Sequence, residues 1–182
     1  MKSNRGHERI TVGGGCFWCL QPVFEQLRGV EEVIVGYAGG HADSPSYEEV
    51  CGGTTGHAEV VQITFDRNAV TLEDLLRVLF AVHDPTTLNR QGDDVGTQYR
   101  SVILYATPEQ RAVAARVIKE IEDNNVWSDP IVTEVKKLEK FHPAEEYHQH
   151  YFEKNPMAGY CRVVIAPKIS EFRKEHLEML KR

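Results

Sequence analysis

Arg9-Ile10-Thr11-Val12-Gly13-Gly14-Gly15-Cys16-Phe17-Trp18-Cys19 passes from a strand-like run, through three glycines, into a helical spacing of apolar residues. Residues 9–13 predict a strand that enters the glycine turn. Residues 17–27 place Phe17, Leu20, Val23, Phe24 and Leu27 at helical intervals. Pro22 falls inside that helix and suits it only near the first turn, where amides lack intrahelical partners. The turn sets Cys16 at a helix N-terminus. The helix dipole and free amides there favour an anion, which predicts a lowered thiol pKa and a nucleophilic thiolate. Phe17 and Trp18 offer an apolar wall beside that sulfur.

Outward from this stretch, strands and helices mix without strict alternation. Residues 30–38 predict a strand through Val33, Val35 and Tyr37, and residues 58–66 a strand of clear period two. Thr71 caps a helix over 72–83. A long polar loop over 84–100 precedes a strand at 101–106 and a helix from Pro108 to about Asn124. Then come a strand at 131–138, a helix at 143–154, a strand at 163–166 and a final helix at 168–180. This order predicts an α+β fold: a two-layer α/β sandwich, ferredoxin-like, with a mixed sheet, flanking helices and long loops. One catalytic domain over residues 1–182 is expected.

The 182 residues carry 21 basic and 27 acidic side chains, a net charge of −6 with no basic run, which argues against nucleic acid as the main partner. No apolar stretch reaches membrane-spanning length, so no membrane partner is expected. The N-terminus, Met1 to His7, is polar and lacks the apolar core of a signal peptide. A cytoplasmic location follows as an expectation. Four cysteines in a reducing compartment are then free, catalytic or metal-bound rather than a disulfide framework.

Cys16 and Cys19 form a Cys-x-x-Cys pair, a spacing shared by thiol–disulfide couples, by half zinc sites and by chance. Cys51 and Cys161 stand alone, so no second zinc knuckle is present. The bulky Phe17 and Trp18 between the first two sulfurs suit a small substrate better than open dithiol exchange. His142, His148 and His150 lie among Glu145 and Glu146 without His-Glu-x-x-His spacing. They read as one satisfied interior histidine and a solvated one. No metal and no cofactor is expected. Cys51, beside Gly52-Gly53, reads as a small buried filler.

Gly15-Cys16-Phe17-Trp18 resembles the signature of the A-type peptide methionine sulfoxide reductases. Further blocks resemble the family in register: Gly36-Tyr37-Ala38-Gly39-Gly40, Tyr47-Glu48-Glu49-Val50-Cys51, Gly56-His57-Ala58-Glu59-Val60 and His83-Asp84-Pro85-Thr86. Gly92 to Ser101, Tyr147-His148-Gln149 and Asn155-Pro156 complete them, so the likeness runs over about residues 9–170.

The resemblance implies reduction of methionine S-sulfoxide, free or in proteins, as repair of oxidative damage. It implies Cys16 as nucleophile, Glu59 as proton donor, and Tyr47 and Tyr99 as hydroxyl donors to the sulfoxide oxygen. Asp94 would orient substrate backbone or a water, and Phe17 and Trp18 would clasp the S-methyl group. A sulfenic acid on Cys16 would be resolved into a disulfide and recycled by thioredoxin. Cys161, expected in a mobile segment, is the favoured resolving thiol, with Cys19 the alternative. The chain departs from many relatives by ending in the amphipathic run 170–177 rather than a glycine-rich tail with a cysteine. Without the resemblance, Glu59 reads as a solvent-facing strand residue, Phe17 and Trp18 as core aromatics, and Asp94 as a turn former.

Overall fold

A computed structural model describes residues 6–182. Residues 1–5, part of the polar N-terminus read above, lie outside the described residues. Strand β1 (His7–Gly13) leads through the glycine turn into α1 (Phe17–Glu25), and β2 (Val30–Ala38) and β3 (Ala58–Asp66) follow with α2 (Tyr47–Cys51) between them. Then come α3 (Leu72–Val82), the hairpin of β4 (Arg90–Gln91) and β5 (Asp94–Val95), β6 (Val102–Tyr105) and α4 (Pro108–Asp123). Strands β7 (Glu134–Lys137) and β8 (Phe141–Pro143), short helix α5 (Tyr151–Lys154) and α6 (Ala166–Glu175) complete the chain, with five residues of π-helix, Cys161–Ile165, feeding α6.

The main sheet has the order β7-β6-β1-β3-β2-β8. Its members pair antiparallel except β6 with β7, which run parallel. The sheet is therefore mixed, with helices packed against it. Alternation along the strands sorts the two faces. Val12, Val33, Val35, Val61, Ile63 and Ile103 meet Phe17 and Leu20 of α1, Leu75 and Leu79 of α3, Val117 of α4 and Ile169 of α6 in one core. Ala38, Ala58, Val60, Val102 and Leu104 form a smaller core on the opposite face, beneath Leu138 and Phe141. Each fully buried side chain such as Phe17 or Leu20 contributes about 1.5–3 kcal/mol.

Several sequence expectations change. Pro22 sits six residues into α1, past the first turn, and denies the Trp18 carbonyl its usual helical donor. The expected helix over 143–154 is instead β8, a 3₁₀ turn and the four residues of α5. The loop at 84–100 contains the β4–β5 hairpin and a 3₁₀ turn at Thr97–Tyr99. The β-branched run Val163-Val164-Ile165 is not a strand. It lies in the π-helical segment, with Ile165 buried in the core and Val163 facing solvent. The final helix begins at Ala166, which carries Pro167 in its first turn, and ends at Glu175 rather than near 180.

Two glycines bring the backbone of the turn close to its neighbours. Gly15 has φ of +86°, and a Cβ there would lie 2.7 Å from Gln91 of the hairpin. A Cβ on Gly13 would lie 2.8 Å from the Glu59 carbonyl oxygen, so only glycine lets β1 end so close to β3.

Candidate active site

Cys16 is the residue immediately before α1, and the residue is 9% exposed. The structure reverses the expected direction of its pKa. Burial is the largest influence and holds it well above the usual thiol value, reinforced by a hydrogen bond with Cys19 and by the nearby Glu59. The Trp18 amide does lower it, as a helix N-terminus should, but this is the weakest of these influences. Cys19 moves the other way, to about 7, chiefly because Cys16 donates to it, with help from Lys168 and Tyr160 against its own burial. The two sulfurs act as one unit that shares a proton.

Glu59 is 1% exposed, on the helix-covered face of β3 opposite Tyr37. The period-two reading of β3 as half solvated fails at this end of the strand, where both faces are covered: Ala58 and Val60 are buried as well. Neither carboxyl oxygen of Glu59 has a hydrogen-bond partner. Burial pushes its pKa up to about 8, with the charges of Asp94 and Cys19 in support. The Phe17 amide opposes the shift without closing a well-formed hydrogen bond. The group is thus predominantly a neutral acid at pH 7.

Tyr47 and Tyr99 both lie near Glu59, where a negative charge would raise them beyond the effect of burial, and Tyr99 also lies near Cys16. Burial raises the pKa of each, so both hydroxyls keep their protons. Tyr47 opens α2, which Ser46 and Glu49 cap reciprocally. Its amide donates to Glu145 Oε2 at 3.1 Å, while the Tyr37 hydroxyl donates to Glu145 Oε1 at 2.9 Å. One carboxylate thereby ties α2 to the sheet. Cys51, expected to be buried, is exposed at the end of α2, four residues after Tyr47.

Asp94 comes from β5 and accepts a hydrogen bond from the Tyr160 hydroxyl at 2.8 Å. Tyr160 Oη also lies 3.6 Å from Cys19 Sγ, and its ring meets Trp18 edge-on at 6.1 Å. Trp18 stacks on Tyr151 at 3.7 Å and donates through Nε1 to His148 Nδ1 at 3.0 Å. Phe17 is fully buried against Tyr37 and His148, so it is a core aromatic and a wall of the site at once. Cys161 lies in the π-helical segment and is 0% exposed, contrary to the expected mobile placement. Burial raises its pKa, and the Cys19 charge adds to the effect.

Cys16, Cys19, Glu59, Tyr47, Tyr99 and Asp94 therefore converge at one end of the sheet. Sequence reasoning missed Tyr160 and Tyr151, and it read His142, His148 and His150 together as one satisfied interior histidine and a solvated one, without singling out His148. His148 is buried, but its Nε2 has no partner. The signal for Tyr160 was its place next to Cys161. Two further side chains frame the turn. Arg100, nearly buried, donates to the Gly56 carbonyl at 2.8 Å and the Thr97 carbonyl at 2.9 Å, tying the approach to β3 to the hairpin region. His83 is buried under Gly14, held to about 4 by that burial, and hydrogen-bonded to the Leu79 carbonyl and Ser101. Among the described residues, no group of three His, Cys, Asp or Glu side chains is placed to hold a metal ion.

The model of the peptide methionine sulfoxide reductase family matches residues 8–180. The chain belongs to this family. The reductase MsrA of Paenarthrobacter aurescens is 56% identical over 165 residues, covering 91% of this chain and 94% of that protein. MsrA of Polynucleobacter asymbioticus is 53% identical over 166 residues, covering 91% and 87%. Among solved structures, methionine sulfoxide reductase A of Corynebacterium diphtheriae is similar with a TM-score of 0.81 and 35% identity, over 87% of this chain and 79% of that one. Reduced Mxr1 from Saccharomyces cerevisiae is similar at a TM-score of 0.79 and 35% identity, over 88% and 92%. This methionine sulfoxide reductase is thus an enzyme, and the converged cluster is where its chemistry can be sought.

Proposed function

We propose that this reductase acts on the S epimer of methionine sulfoxide, free or within proteins, through Cys16, with Glu59 as the acid. The observation that carries the reading is a neutral carboxylic acid, without a partner of its own, buried beside a thiol pair. A sulfoxide brings a basic oxygen and an electrophilic sulfur, and this pairing serves both. Glu59 donates to the oxygen, with Tyr47 and Tyr99 hydroxyls adding hydrogen bonds to the developing charge. The proton shared by the two sulfurs passes to Cys19, and the Cys16 thiolate attacks sulfur. The protonated oxygen then moves from the substrate sulfur to the Cys16 sulfur as the new sulfur–sulfur bond breaks, so methionine leaves and Cys16 holds the oxygen as a sulfenic acid. Phe17 and Trp18 border the S-methyl group. With oxygen and methyl both fixed, only one configuration at sulfur presents itself to Cys16. Asp94, bonded to Tyr160, lies at the rim and is assigned to orienting the substrate backbone or a water.

A second thiol must then condense with the sulfenic acid, forming a disulfide and releasing water. The sequence favours Cys161. Geometry favours Cys19 for the first disulfide, because it lies one turn along from Cys16, its amide donating to the Cys16 carbonyl at 3.0 Å. Cys161 is next in line: it neighbours Cys19 and can exchange onto that sulfur once the π-helical segment opens. A dithiol such as thioredoxin then reduces the chain's disulfide and restores the resting thiols. Mxr1 has been solved in complex with Trx2, and that structure, at 23% identity, supports the likeness of fold. Cytoplasmic residence suits this cycle, since it needs a compartment that keeps thiols reduced. No described helix is long and apolar enough to cross a membrane.

The central strands, in the order β6-β1-β3-β2 and all antiparallel, support reading the sheet as a ferredoxin-like core extended by β7 and β8 within one catalytic domain. The test of function is single-turnover release of methionine from each sulfoxide epimer by the reduced enzyme, without added reductant. Stoichiometric turnover of the S epimer alone is expected. Equal turnover of both epimers would overturn the assignment.

A further inference from the structure

His148 is fully buried inside a ring of aromatics, with Tyr147 at 4.0 Å, Tyr47 at 4.4 Å, Phe17 at 5.2 Å and Trp18 at 5.6 Å between ring centroids. An indole N–H can only donate, so the 3.0 Å bond from Trp18 Nε1 fixes His148 Nδ1 as an acceptor without a proton. The imidazole is then neutral with its hydrogen on Nε2, which has no hydrogen-bond partner. A buried N–H left unpaired carries a cost. The chain tolerates that cost while spending the ring's other nitrogen on Trp18.

The platform under His148 is firm. Gln149, its neighbour, bonds both backbone groups of Val35, accepting from the amide at 3.1 Å and donating to the carbonyl at 2.9 Å. His148 thus rides on a segment zipped to the edge of β2. Trp18 is held by directional bonding as well as stacking, and the stack on Tyr151 alone leaves the ring free to slide in its plane.

We propose that His148 is the positioning residue that fixes the Trp18 indole against the substrate's S-methyl group, and so sets how strictly the enzyme rejects sulfoxides with a larger alkyl group. This rests on the reading that Trp18 borders the methyl. A wall free to slide would admit one more carbon. A wall pinned at both its face and its edge nitrogen does not.

Protonation works against the arrangement. A second hydrogen on His148 would sit on Nδ1 and face the Trp18 N–H donor to donor. Burial lowers the His148 pKa, while Glu145 on its own segment and Glu48 on α2 pull it up. The other titratable neighbours, Tyr47 and Tyr147, are neutral phenols, and Phe17 and Trp18 bring no charge. The bond therefore holds at neutral pH and is lost on acidification below the ordinary histidine range.

The test compares kcat/KM for the S epimers of methyl and ethyl p-tolyl sulfoxide in native, His148→Leu, His148→Asn and Trp18→Phe proteins. His148→Leu is expected to lower the methyl-over-ethyl preference several-fold, up to about tenfold, the worth of one hydrogen bond. His148→Asn, whose side-chain oxygen can lie near the place of Nδ1, is expected to restore most of it. If Trp18→Phe lowers the preference and a folded His148→Leu leaves it unchanged, His148 is only core and the proposal falls. If Trp18→Phe itself changes nothing, the reading of Trp18 fails first and separately.

Should His148→Leu not fold, the native protein still decides. The chain has two tryptophans, and Trp127 Nε1 has no partner. The Trp18 indole proton should resonate downfield of the Trp127 proton and move toward it on acidification. Two indole protons that stay alike across that titration would overturn the proposal.

Discussion

Cys16 and Cys161 are both buried sulfurs near one site, yet they sit in opposite kinds of structure. Cys16 ends a glycine turn between β1 and α1, locked by close backbone approaches to β3 and the hairpin. Nothing there can move without breaking the sheet. Cys161 sits in π-helical turns, whose wide spacing is a weaker way to pair the backbone than an α-helix. Its neighbour Tyr160 holds the segment to β5 and Cys19 through a single hydroxyl. The difference teaches a division of labour: the attacking sulfur is pre-organised, and the sulfur that must travel is parked in a segment with few ties.

The strongest way to break this comparison is at Cys16. Cys16→Ser should reduce methionine release to the uncatalysed background, even in a single turnover with every other thiol intact. Stoichiometric methionine from that variant would show that the attacking sulfur is not the locked one.

Glu59→Gln comes next. It should lower the first-turnover rate by roughly 10²–10⁴-fold, the range for losing a general acid. In the native enzyme this step should slow as pH rises through about 8, where Glu59 loses its proton. The linkage to stability has the same sign. A carboxyl with a raised folded-state pKa binds its proton more tightly folded than unfolded, so stability is full at low pH and falls as pH climbs from about 4.5 to about 8. The loss by neutral pH is on the order of 3 kcal/mol. Denaturant melts across that window should show the fall in native protein and a flatter profile in Glu59→Gln. Equal slopes would place the buried acid elsewhere.

Third are the two candidate resolving thiols. Cys161→Ser should keep the first turnover and form a Cys16–Cys19 disulfide, yet lose most thioredoxin-driven cycling. Cys19→Ser should slow condensation, leaving a sulfenic acid long enough for dimedone to trap. Mass spectrometry of the trapped protein reads both. A Cys16–Cys161 disulfide at full speed in Cys19→Ser would mean that the parked sulfur travels directly.

The same contrast decides what could be read from sequence. Strand β3 and helices α3 and α4 came within a residue of their predicted ends, because period-two and period-3.6 patterns report burial against a sheet. Cys16 was legible through its three glycines. Glu59 was not, since alternation assumes one wet face and the start of β3 has none. The thiol pKa went the wrong way because a helix N-terminus visible in sequence was weighed without the burial that overrides it. Val163 to Ile165 misled for a related reason. Their β-branching favours strands, but no sheet edge reaches them, and Ile165 is drawn into the core beside α1. Residues 143–150 failed as a helix because β2 captured them, through β8 pairing at Pro143 and the Gln149 clamp on Val35.

The smallest expected effect sharpens the comparison most. Tyr160→Phe keeps the ring against Trp18 and removes only the hydroxyl that bonds Asp94 and Cys19. One such bond is worth about 1–2 kcal/mol. The Cys19 thiolate loses a donor, so its pKa should rise, Cys19 becomes the better acceptor for the Cys16 proton, and the first turnover should quicken by up to a few-fold. The segment carrying Cys161 loses its tie to β5, so its opening should become easier and exchange onto Cys161 should speed up by up to about tenfold. Both steps therefore quicken, which a merely destabilised protein would not show. Rapid-quench methionine release reads the first, and disulfide mapping against time reads the second. If both slow together, Tyr160 supports the fold without latching the C-terminal sulfur, and the division between a fixed and a travelling thiol loses its structural basis.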